Sequence, residues 1–154
     1  MKSINGNMNA VESADIIPTP TDAEGYLAAA SSMLDGVRIL VAASPIPAIA
    51  ISFLCGHASE VALKAMLSHA GVSTDDLIKT YGHNLTELWQ CAVSKGLPLQ
   101  SSPPSWFGKF KNLHGNPYLL RYPLRLNGLV LPNLEAMVQD VEMLVSSSKS
   151  YIEL

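Results

Sequence analysis

Charge is scarce in this chain. Ten Lys or Arg and thirteen Asp or Glu make up 15% of 154 residues, while apolar residues reach 48%; an ordinary globular domain carries about 25% charge. The length suits one domain, able to bury close to 70% of the surface its unfolded form exposes. A surface so short of charge leaves apolar area over, and a subunit interface is the expected cover for it. The net charge of −3 and the pI near 5.7 exclude a generally basic face. Any RNA or DNA site would have to be a local patch.

Other absences narrow the chemistry. The two cysteines, Cys55 and Cys91, lie in apolar helical stretches without metal-ligand spacing, and read as buried free thiols in a reducing compartment. There is no phosphate-cradling glycine loop, no Gly-x-Ser-x-Gly elbow and no zinc-finger spacing. No stretch alternates with strand periodicity, and no segment repeats. "MKSINGNMNAVESADIIP" lacks the apolar core of a signal peptide. Residues 39–55 are uncharged, but two prolines and two serines interrupt them and they fall short of the ~18–20 apolar residues a span needs. They read as the end of one core helix, a turn and the start of the next. A cytoplasmic protein without a membrane segment or a cofactor is expected.

What the chain does contain is helical pattern. A flexible polar arm over 1–18 precedes a single helical domain over 19–154. Thr21 with Glu24 forms a capping-box signal, and Tyr26, Leu27, Ala30, Met33, Leu34, Val37 and Leu40 recur at threes and fours, predicting a helix over 21–43. "SPIP" breaks it, with Ser44 expected to cap a second helix over 46–70 that is apolar nearly all round and stops at Gly71. Ser73 and Asp76 start a short turn, and a fourth helix runs over 83–95 to Gly96. Residues 96–132 hold most of the prolines and form a long irregular connection with one helical turn near 104–113. A final helix places Leu134, Met137, Val138, Val141, Leu144 and Val145 on one stripe. The fold class is all-α, an up-and-down bundle of four to five main helices.

The polar residues of interest fall in three groups. His57, Glu60 and Lys64 share one side of the second helix, with Glu60 and Lys64 in the favourable order for an i,i+4 ion pair. His83 begins the fourth helix, where it or Asn84 takes the cap; its ring is within reach of Glu60. That pair is either a latch between helices or a general acid/base pair lining a cleft, and the latch is preferred. A carboxylate metal site wants Glu-x-x-His on two helices, and His57-x-x-Glu60 occurs once, so no metal is expected. The third group, "WFGKFKNLHGNPYLLRYPLR", interleaves aromatics with Lys109, Lys111, His114, Arg121, Tyr122 and Arg125. Such a mixture stacks on single-stranded nucleic acid, or docks its rings on the bundle.

"HASEVALKAMLSHAGVS", then "YGHNLTELWQCAVSKGL", then "LRYP" together resemble small bacterial HEPN-domain proteins over residues 46–145. The resemblance implies a HEPN-like bundle, commonly a homodimer, often belonging to a toxin–antitoxin, defence or stress system. It also implies a nucleotidyltransferase-type protein partner, with RNA or a nucleotide as ligand. Catalytic members resemble metal-independent ribonucleases with an Arg followed after four to six residues by a His. Here Arg38, Arg121 and Arg125 have no such histidine, and Lys109 with His114 is the nearest imitation, lacking the guanidinium fork. The expectation is therefore a binding or accessory protein in which His83 and Glu60 latch the bundle while His57 and Lys64 border a groove. A ribonuclease using Lys109 and His114, and a nucleotide-binding accessory subunit of a nucleotidyltransferase, are the alternatives.

Overall fold

A computed structural model of the chain describes residues 18–153. All but the last residue of the arm expected over 1–18 lie outside the described residues. Helix α1 spans Asp22–Val41, and α2 spans Ala48–His69. A single turn, α3 (Thr74–Asp76), runs directly into a π-helical turn, Leu77–Tyr81. Helix α4 spans Leu85–Ser94, the short α5 Trp106–Phe110, and α6 Leu134–Ile152. No strand occurs among the described residues, and the chain is an all-α bundle.

Local chemistry sets most of these boundaries. Thr21 and Glu24 make the reciprocal capping box at the start of α1. Asn84 and Asn133 cap α4 and α6, their side chains accepting from the backbone of Glu87 and Ala136. Gly71, Gly82 and Gly96 end α2, the π-helical turn and α4 with positive φ, a conformation that costs glycine least. The start of α2 differs from the expectation. Pro47 holds the cap position, and Ser44 makes no capping bond. The first turn of α2 is open to solvent, so water can satisfy its amides without a side-chain cap.

Helix α2 is the axis of the bundle, packed by α1, α6 and α4. It is long and apolar enough to cross a membrane, yet two thirds of its apolar window is buried inside the protein. Leu27, Ala30, Leu34 and Val37 of α1 and Met137, Val141, Leu144 and Val145 of α6 close over it, as their spacing predicts. The long connection after α4 does not hang free. Trp106, Phe107 and Phe110 of α5 are buried, and the Trp106 indole donates to Asp140 of α6 at 3.0 Å. Trp89 of α4 donates to the Gln100 carbonyl at 3.0 Å. These aromatics dock the connection onto the bundle. Cys55 is buried as expected and burial pushes its thiol up to about 12, whereas Cys91 is only half-buried.

Candidate functional site

Glu60 sits in the middle of α2, and its carboxylate is the hub of a buried polar cluster. Oε1 accepts from Lys64 Nζ at 2.7 Å, one helical turn on. Oε2 accepts from His83 Nδ1 at 2.9 Å and from His114 Nε2 at 2.6 Å. The side chains of Glu60, Lys64 and His114 are 5%, 7% and 1% exposed, so these are interior charges. The Glu60–Lys64 pair is therefore a core feature, where removing one member strands the other. Burial pushes the Glu60 carboxyl up, but hydrogen bonds from His114, Lys64 and His83 outweigh it and hold the group down at about 2.

Each histidine arrives for a local reason. Asn84 takes the α4 cap, which leaves His83 outside the helix and free to turn inward. His114 follows α5 by four residues, with its amide bonded to the Phe110 carbonyl at 2.9 Å. Its ring enters the core over Gly56, where a Cβ would stand 2.9 Å from His114 Nδ1 and 2.8 Å from the Phe110 ring. A side chain there would close the seat, so glycine at 56 is a condition of the cluster. The other ring nitrogen of His114, Nδ1, has no hydrogen-bond partner among the described residues.

His57, one turn before Glu60, extends the cluster toward solvent. Its ring meets His114 edge-on at 4.7 Å and stacks near Phe53 at 4.6 Å. Arg121 NH2 lies 2.8 Å from His57 Nε2. A guanidinium only donates, so Nε2 is the acceptor and the ring is the neutral Nδ1–H tautomer. Burial chiefly, and then the neighbouring His114 against an opposing Glu60, push His57 down to about 4.

Beside the cluster opens a cleft of about 680 Å³. His83 and Tyr118 stand on its wall, their rings edge-on at 5.6 Å, with Lys111, Gln90, Glu87 and Asn116 among its lining. Tyr118 holds this place with a left-handed backbone, φ 60°. His83 is thus shared: Nδ1 faces the buried carboxylate while its side chain, 36% exposed, borders the cleft.

The structure brings His57, Glu60, Lys64, His83, His114 and Arg121 into one cluster. Lys64 does not border a groove as expected, because its ammonium turns inward to Glu60. Tyr122 and Arg125 are exposed and outside the cluster. Lys109 is exposed on α5 while His114 is buried on Glu60, so the arrangement offers no solvent-open Lys109–His114 pair. The part of His114 in this cluster was not evident in the sequence, where it belonged to an aromatic-basic loop; Gly56 inside a helix, a close-approach signal, was the available clue. Donor atoms of His57, Glu60 and His114 lie within 4.8 Å of one another, so the loop supplies the second histidine that the sequence spacing lacked. The set nonetheless suits a metal ion poorly. Both Glu60 oxygens already accept from protein donors, one of them the Lys64 ammonium, and His57 Nε2 accepts from Arg121. Comparison with protein-family models, curated proteins and solved structures finds no match.

Proposed function

We propose that the protein is a HEPN-like, homodimeric binding or accessory module, of the toxin–antitoxin, defence or stress kind, that takes a nucleotide in the cleft beside His83 and has no robust catalysis of its own. The observation that carries this reading is the cleft itself. It is large enough for a mononucleotide and walled by two rings that can face a base. Asn116, Gln90 and Glu87 can read a base edge, and Lys111 can meet a phosphate. The buried Glu60 hub favours binding over catalysis, since it fixes the His83 ring and keeps His114 from solvent. The sparse charge of the chain, with Ile39, Ile46, Ile49 and Met143 exposed, supports a dimer.

A thermal-shift panel of ribonucleoside mono- and triphosphates tests the cleft. A ligand at a hundred times its Kd should add about 2.7 kcal/mol, a rise of roughly 5–10 °C. Lys111→Ala should remove most of that rise without lowering the unliganded melting temperature, because Lys111 is exposed. No rise with any nucleotide at millimolar concentration would contradict the reading.

A further inference from the structure

Arg121 is a half-buried guanidinium with no carboxylate partner among the described residues. The pattern is unusual for this chain. Arg38, Lys64, Lys79 and Lys149 each face an Asp or Glu, and the other unpaired cations among the described residues, Lys95, Lys109, Lys111 and Arg125, are exposed. Desolvating a guanidinium without a counter-charge is costly, and such a group is normally met by an anion.

Its surroundings are built to hold it rather than to neutralise it. The guanidinium carbon lies 5.7 Å from the Phe53 ring centre and 5.4 Å from that of Tyr118. The cation stands over both rings, and its planar fork of N–H groups is the part that can receive a ligand. One N–H of that fork is spent on His57 Nε2. That bond orients the guanidinium and fixes His57 as the neutral Nδ1–H tautomer. Among the described residues the other N–H groups of the fork have no acceptor, and the one carboxylate near His57, Glu60, already accepts from Lys64, His83 and His114.

We infer that Arg121, oriented by His57 and steadied by Phe53 and Tyr118, forms an oxyanion-binding site whose ligand is a phosphate group. Phosphate fits better than a carboxylate because its greater charge and additional oxygens suit the remaining N–H groups of the fork. This site stands apart from the nucleotide cleft. Tyr118 borders both, but Arg121, His57 and Phe53 do not line the cleft.

The test is calorimetric titration of the full chain with inorganic phosphate at constant ionic strength, with acetate as the carboxylate arm. Saturable one-site binding of phosphate, and weaker binding of acetate, is expected. Arg121→Lys keeps the charge and loses the fork, and should weaken phosphate at least about tenfold. His57→Phe keeps a ring but frees the guanidinium and should weaken it several-fold, whereas Lys95→Ala, at an exposed cation outside both sites, should leave it unchanged. Far-UV circular dichroism confirms that each variant is folded, and the conservative Arg121→Lys keeps the test sound if His57→Phe is not. Absence of phosphate binding, or binding that Arg121→Lys leaves intact, would overturn the site. Acetate binding as tight as phosphate would overturn the ligand assignment. Loss of nucleotide binding in Lys111→Ala with phosphate binding retained would separate the two sites.

Discussion

Replacing Glu60 by alanine should lower the melting temperature by roughly 10–15 °C, a loss of about 3–5 kcal/mol. The lost pairing energy is the smaller part of this. Lys64 Nζ, on a side chain only 7% exposed, would be left inside the bundle with no anion. His83 and His114 would lose their shared acceptor at the same time, and the His114 ring has no route to water. A stranded interior cation costs more than a missing ion pair. The double replacement Glu60→Leu with Lys64→Met should therefore be less damaging than Glu60→Ala alone, because it removes the orphan along with the hub. Thermal denaturation of the three proteins checks both statements. A double variant as unstable as the single one would show that the stranded ammonium is not the main cost.

Phe110→Ala should cost about 3–5 kcal/mol, the usual range for emptying a buried phenyl site. Phe110 is 1% exposed and packs edge-on to Trp106 at 5.0 Å. Its ring edge lies 2.8 Å from where a Cβ on Gly56 would stand, and its centre 6.4 Å from that of the His114 ring. Removing it opens a void beside the bare backbone of α2, which glycine cannot fill. The loss should therefore appear twice: as lowered stability and as a loosened His114. A urea melt gives the first, and the His114 imidazole resonances give the second. A folded variant with unaltered His114 signals would show that Phe110 does not seat that ring.

The helices were legible in the sequence because each has local punctuation. The capping box at Thr21, the cap at Asn84 and the glycines at 71 and 96 act within a few residues of themselves. So was the Glu60–Lys64 pair, by helical spacing, and so was the contact of His83 with Glu60. His114 was not, since its contact with Glu60 spans 54 positions and depends on how α5 docks. No local pattern encodes that approach; what does encode it is the absence of a side chain at Gly56 paired with the ring of Phe110. The link from Arg121 to His57, 64 positions apart, was hidden for the same reason. Ser44 misled because Ser before Pro signals a cap, while a solvent-open helix start needs none.

The central claim is that Glu60 is an ionised interior carboxylate that holds Lys64, His83 and His114 together. A group whose folded value lies below its ordinary one stabilises the fold above that ordinary value, 4.5 for Glu60, and loses the contribution as pH falls toward about 2. His57, held near 4 against an ordinary 6.5, acts in the same direction, costing stability as pH falls from 6.5 to 4 because the unfolded ring takes up the proton first. The most direct measurement is a carbon-13 titration of the Glu60 side-chain carboxyl in the folded protein from pH 7 downward. The account predicts a resonance that stays at its ionised position through pH 4.5 and for as long as the protein remains folded. A titration midpoint at or above 4.5 in the folded state would contradict it, and the latch with it.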